Sequence, residues 1–379
     1  MKPRSGQYFF NTMVFFLVFA IFLTACSNPS TKSIEGVNRS TSKNLQAGQN
    51  HKGAGDDEQL FNTDPQKKEG ENTESIQIHE QQENHKIDFS VKPNELGQVM
   101  ILMYHNVSEE ETEWSRSYYN FKKDLQTLYE NGYRLIGLKD FIQGRIDVHA
   151  GKTPVIITFD DGLQGQFNYI EKEGKKVIDP SSAVGIMDDF AKTHPDFGKK
   201  ATFYIYYPLP FRQKEYIKGK LNYLVSNGME IGNHTYTHAN LGKLSSEKIQ
   251  KELALNVKVT QGYVEGYSVD TLALPYGASS KSTYNFLKQG SFEGTSYKNN
   301  AILLVGANPA FSPWDTRFDP YRLPRVRASS PYFEQWIKYF KENPGEKFIS
   351  DGNPDIITFP KELKKHFNEK VANKKVITY

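Results

Sequence analysis

Cysteine is almost absent: Cys26 is the sole thiol in 379 residues, which excludes an intramolecular disulfide. A strong charge of one sign is lacking too. Lys and Arg number 47 against 44 Asp and Glu, a formal net charge of +3, and no basic cluster stands out. Nucleic acid is therefore not an expected partner, whereas the mild positive balance suits anionic cell-surface polymers. Aromatic residues are scarce from Ser27 to Glu95, where Phe61 and Phe89 stand alone among Ser, Thr, Asn, Gln, Glu, Lys and Gly. Such a segment buries too little apolar surface to offset its ordering entropy, so it reads as a flexible tether. With 37% hydrophobic residues and a mean hydropathy of −0.62, the chain can build one sizeable domain with much polar material outside it.

The N-terminus carries Lys2 and Arg4, then the uncharged apolar run Met13–Leu23, then Thr24-Ala25-Cys26-Ser27. The run is short for a membrane-spanning helix and suits a cleaved export signal. Leu23-Thr24-Ala25-Cys26 resembles the lipobox of bacterial lipoproteins, which implies acylation of Cys26 and a membrane anchor on the extracytoplasmic face. The expected organisation is a signal peptide over 1–25, a tether over 26–95 that gives reach, and a folded domain over 96–379.

Within that domain, strand and helix signals alternate. Val99–His105 reads as an apolar strand ending in a histidine, and Phe121–Gly132 as a helix with apolar residues at helical spacing. Tyr133–Leu138 reads as a strand, Lys139–Gly144 as a short helix and Ala201–Tyr206 as a strand. Leu221–Gly228 and Ser245–Val264 read as helices, the second opened by a Ser-Ser-Glu start, and a further helix covers Tyr332–Phe340. Alternation of this kind predicts an α/β fold with a parallel, closed sheet. Leu163–Lys200 reads as a long insertion shaping the binding edge, and the chain beyond residue 340 as charged and without pattern.

Three stretches carry chemistry. Val155-Ile156-Ile157-Thr158-Phe159-Asp160-Asp161-Gly162 is a buried strand that ends in two carboxylates, at the edge where α/β folds place their sites. Adjacent carboxylates repel, so a cation beside them is expected, with one acid as ligand and the other as proton acceptor. Met229–His238 runs from a short strand into His234 and His238, which at i and i+4 can share one face of a helical turn and one metal. His, His and one Asp leave coordination positions open, as a catalytic rather than a structural site does. Leu272-Ala273-Leu274-Pro275-Tyr276-Gly277 is a strand closed by a tight bend that could turn the Tyr276 backbone N–H toward a developing oxyanion. The first strand would deliver His105 to the same edge.

Thr158-Phe159-Asp160-Asp161-Gly162, His234-Thr235-Tyr236-Thr237-His238 and Pro275-Tyr276-Gly277, in this order, resemble the motifs of the polysaccharide deacetylase family, carbohydrate esterase family four. The resemblance covers about Gly97 to Ser330. It implies a distorted (β/α) barrel that removes acetyl groups from N-acetylated, or in some branches O-acetylated, sugars. It also implies Asp160 as catalytic base and Asp161, His234 and His238 as ligands of one divalent metal ion, zinc first, with nickel, cobalt or iron as alternatives. Two departures stand out. Ala273 occupies the place where many members carry an arginine, and no histidine lies between His238 and His366 to supply the usual late Leu-x-His acid. Both gaps point to the permuted branch, similar to deacetylases of poly-β-1,6-N-acetylglucosamine, whose acid comes from an N-terminal Tyr-His pair. Tyr104-His105 matches that pair. Tyr321-Arg322-Leu323-Pro324-Arg325 could replace the missing arginine, with Arg325 favoured over Arg322.

The expected partner is an N-acetylated polysaccharide, with peptidoglycan as a second polymer. Trp114, Tyr118, Tyr119 and Trp314 could offer faces to sugar rings. Two other functions fit the same residues: an esterase acting on O-acetyl groups, and a catalytically silent sugar-binding lipoprotein on the same fold.

Overall fold

The computed structural model describes residues 86–370 and 373–379. The expected signal peptide, Cys26 and the tether up to residue 85 lie outside the described residues. No described helix is long and apolar enough to cross a membrane.

An eight-stranded sheet, with every pairing parallel, organises the domain: β1 (Met100–Tyr104), β2 (Tyr133–Leu135), β3 (Thr153–Asp160), β4 (Thr202–Ile205), β5 (Glu230–Asn233), β6 (Thr271–Ala273), β7 (Ala301–Leu303) and β8 (Val326–Arg327). The spatial order is β7-β6-β5-β4-β3-β1-β8, with β2 beside the first half of β3. All eight residues of β3 and all five of β1 are buried, which is why both read as near-continuous apolar runs: a parallel sheet is covered on both faces.

The two edges of this path meet through one short segment. Leu323 exchanges backbone hydrogen bonds with the β7 edge, giving its N–H to Ile302 and accepting from Leu304. Three residues later, Val326 is in register with Leu102 of β1. Residues 323–327 thus close a distorted (β/α) barrel, and Arg325 sits in the seam.

The main helices are α1 (Tyr118–Glu130), α2 (Ala183–Thr193), α3 (Ile217–Ser226), α4 (Ser246–Tyr263) and α5 (Tyr332–Glu342). α1 buries Phe121, Leu125 and Leu128, the spacing that marked it in the sequence. Ser245 caps α4 by accepting the Lys248 N–H, and Ile249, Leu253, Ala254 and Val257 form its buried stripe.

Three expectations need correction. Leu163–Lys200 is not only loop: it holds an antiparallel hairpin (Tyr169–Lys172 with Lys175–Ile178) and α2. Ser182 caps α2, and Ala183, Val184, Ile186 and Met187 are buried, a stripe masked in the sequence by Asp188, Asp189 and Lys192. The C-terminal stretch is also structured. Ile356–Phe359 pairs in parallel with Lys375–Thr378, and Phe348, Ile357 and Phe359 are fully buried. Asn94 and Glu95, assigned to the tether on composition, join this layer: Asn94 bridges Ile349, and the buried Glu95 carboxylate accepts the Thr358 N–H. Polar side chains can be ordered by backbone partners that composition does not reveal.

Candidate active site

The C-terminal ends of neighbouring strands deliver the chemistry-bearing residues to one cleft of about 480 Å³, lined by His105, Trp114, Asp160, Asp161, His234, His238 and Tyr276 among others. β1 ends one residue before His105, β3 ends at Asp160, β5 ends one residue before His234, and β6 runs into the turn that holds Tyr276.

Asp161 Oδ1 lies 3.4 Å from His234 Nε2 and 3.1 Å from His238 Nε2. Ligand atoms of these three residues all fall within 4.8 Å of one another, the only such cluster among the described residues. The buried Asp161 Oδ1 has no hydrogen-bond partner. An anionic oxygen without a donor and two imidazole nitrogens facing it suit a divalent cation. The outer nitrogens are held as ligand histidines require: His234 Nδ1 is 2.9 Å from the Ala273 carbonyl, and His238 Nδ1 is 3.1 Å from the Tyr276 hydroxyl. Those contacts leave both Nε2 atoms for the shared centre. Burial opposes the charge on Asp161, but the two imidazoles facing it hold its carboxyl well below the usual range.

The two histidines do not share a helical turn, contrary to the reading of their spacing. Thr235 and His238 both have left-handed backbone, at φ 62° and 58°. A polar scaffold imposes this path. The Asn233 side chain accepts the Thr235 N–H, Thr235 Oγ1 accepts the Ala239 N–H, and Glu252 accepts from the Tyr236 and Thr237 N–H groups. Asn256, buried on α4, donates to the Ile205 and Thr235 carbonyls. Asp161 and Tyr276 are left-handed as well, at φ 78° and 59°. Strain of this kind persists only where surrounding contacts over-determine it, and here it gathers around one cleft.

Asp160 stands apart from the three-residue cluster. Its two oxygens accept from Arg325 Nη1 and Nη2 at 2.7 Å each, and both side chains are fully buried. Arg325 also donates to the Leu304 carbonyl and to Thr158 Oγ1, so its fork is fixed on three sides. Burial alone would push the Asp160 carboxyl up, but the guanidinium prevails and holds it below its ordinary range. Arg325, rather than Arg322, therefore faces Asp160.

His105 borders the same cleft, its ring 4.8 Å from Trp114. Desolvation lowers its pKa against the opposing pull of Asp160 and Asp161. Sequence reasoning missed the residue that ties these loops together. The buried Gln166 side-chain amide donates to the His105 carbonyl at 2.7 Å and to the Asp160 carbonyl. Its only local signal is a glutamine shortly after the Asp-Asp-Gly turn.

Tyr276 is 67% exposed. The Gly277 and Ala278 N–H groups close its turn onto the Leu274 and Pro275 carbonyls, leaving the Tyr276 N–H outside those bonds. Among the aromatics considered for sugar contact, Trp314 is core and packs on Phe348, Tyr118 packs against the core, and Tyr119 lies in a separate surface groove. Trp114 alone of the four lines the cleft.

Residues 147–294 match the family model described as polysaccharide deacetylase. No curated protein matches this chain. Among solved structures, it is similar to the Streptococcus pyogenes deacetylase PplD in complex with acetate, with 16% identity and a TM-score of 0.48, over 64% of this chain and 97% of that one. It is also similar to a polysaccharide deacetylase from Bacillus cereus, with 19% identity and a TM-score of 0.47, over 64% and 68% of the two chains. A third similar structure is IcaB from Ammonifex degensii, with 18% identity and a TM-score of 0.47, over 64% and 97%.

Proposed function

We propose that this protein is a metal-dependent hydrolase that removes N-acetyl groups from N-acetylglucosamine units of an extracellular polysaccharide, with poly-N-acetylglucosamine favoured over peptidoglycan. The observation that carries the reading is the donor-less Asp161 Oδ1 facing two imidazole Nε2 atoms, beside a second carboxylate that is held separately by Arg325. A divalent ion held by Asp161, His234 and His238, zinc by the chemistry of this donor set, would acidify water and polarise the amide carbonyl.

The chain's own residues supply the rest. Asp160, kept ionised and oriented by Arg325, accepts the proton of the attacking water. The Tyr276 N–H donates to the oxygen that becomes negative in the tetrahedral state. Protonated His105 gives its proton to the sugar nitrogen as the C–N bond breaks, without which an amine anion would have to leave. The products are acetate and a glucosamine unit that becomes cationic.

Support for the permuted arrangement is the pairing of Arg325 with Asp160 and the presence of His105 in the cleft. Lipid anchoring through Cys26 on the extracytoplasmic face belongs to the same proposal and is supported by Leu23-Thr24-Ala25-Cys26. The test is acetate release from N-acetylated oligosaccharides and from O-acetylated xylan, with and without a chelator. Chelator-sensitive release from the amides is expected. Release from the esters alone would overturn the amide assignment, and an absence of release from either would overturn the enzyme.

A further inference from the structure

The cleft has a flank that the proposed chemistry leaves unused. Trp114 leans on His105 at the cleft wall and is 44% exposed. The Arg327 guanidinium lies over the indole, its carbon 4.3 Å from the ring centroid, and 5.5 Å from the centroid of Tyr332, which is 41% exposed. Glu113 accepts from Arg327 at 3.2 Å. Indole, guanidinium and phenol therefore form a ladder running outward from His105. Neither Trp114 nor Tyr332 belongs to any of the buried clusters, so packing does not account for them.

We propose that this ladder is a subsite for the pyranose unit next to the one being deacetylated. Sugar rings present C–H faces that rest on aromatic planes, and their equatorial hydroxyls need charged or amide partners at the rim. Trp114, Arg327, Tyr332 and Glu113 offer both, in one place, continuous with the cleft. Arg327 follows Arg325 by two residues across the barrel seam, so one short segment carries the partner of Asp160 and the centre of the platform. The polymer consequently extends past the His105 side of the cleft, and catalytic efficiency rises from monosaccharide to oligosaccharide. This rests on the function proposed above.

The experiment compares wild type with Tyr332→Ala and Arg327→Ala on N-acetylglucosamine and on its oligomers of two to five units. Tyr332 and Arg327 are chosen because Trp114 touches His105. The two surface variants should retain wild-type melting and wild-type turnover of the monosaccharide, while KM for the longer oligomers rises about fivefold each, the scale of one lost aromatic or cation contact. Oligosaccharide binding to metal-free protein, followed by calorimetry, should weaken by a similar factor. A length preference that both variants leave intact would overturn the subsite and leave the deacetylase reading standing. Equal losses on monosaccharide and oligomers would overturn it too, because the residues would then act on the reacting unit. A wild-type enzyme that acts on no glycan would instead remove the underlying function.

Discussion

Replacing Arg325 by Met isolates what the seam of the barrel does. The guanidinium makes two 2.7 Å bonds to Asp160 and further bonds to the Leu304 carbonyl and Thr158 Oγ1, with both charged side chains fully buried. Methionine fills much of the same volume but strands a buried carboxylate. Breaking a buried pair from one side costs about 3–5 kcal/mol, most of it the desolvation of the ion left behind. The loss should therefore depend on pH, and its sign follows from linkage. In wild type the Asp160 pKa is depressed, so its contribution is fully present above the unfolded carboxylate value of about 3.9 and is lost as pH falls through the folded pKa. In the variant burial is opposed only by His234 and His105, so the folded pKa rises, and the deficit is largest near neutrality and shrinks on acidification. Urea denaturation of both proteins from pH 4 to pH 8, with chelator present, measures this directly. Acetate release should show the matching effect, an acid limb displaced to higher pH. A deficit under about 1 kcal/mol, or one that stays flat across this range, would refute the argument that Arg325 holds Asp160 ionised.

Tyr276→Phe removes the hydroxyl partner of His238 Nδ1 and should weaken metal affinity about tenfold by competition titration, within the range for outer-shell partners; unchanged affinity would mean the contact orients nothing. Gln166→Ala leaves the His105 and Asp160 carbonyls without their amide donor, which should cost about 2–3 kcal/mol in denaturant unfolding and lower kcat; a loss below 0.5 kcal/mol would show that the loops hold each other without it. His105→Ala should reduce amide turnover about 10²–10⁴-fold while O-acetyl hydrolysis falls much less, since an alkoxide leaves more readily than an amine; equal losses on both substrates would argue against His105 as the acid.

Much of this site could be read from the chain because its residues sit in short motifs at strand ends. The apolar run before Asp160 and Asp161, buried over its whole length, marked both the central strand and the edge at which it ends. Seven of the eight barrel strands carry three or more buried residues or a polar signature at their exit, but β8 is only Val326–Arg327 and has no periodicity to find. Arg325 could be favoured only through the arginine missing at Ala273. The path between His234 and His238 was misread because spacing alone cannot reveal two left-handed residues, which depend on Asn233, Glu252 and Asn256 from elsewhere in the fold. Asn256 did leave a trace, a polar residue interrupting the stripe Leu253–Val257 on α4. Gln166 left only its place after the Asp-Asp-Gly turn and Glu95 left nothing, because each has a partner among backbone groups distant in sequence.

The central claim is that Asp161, His234 and His238 grip one divalent ion on which acetate release depends. Metal analysis of the purified protein, paired with Asp161→Ala and with acetate assays on the same samples, tests it most directly. One equivalent of metal in wild type, its loss in the variant and a parallel loss of acetate release is the predicted result. Full acetate release from protein stripped of metal, or undiminished metal content in Asp161→Ala, would contradict it.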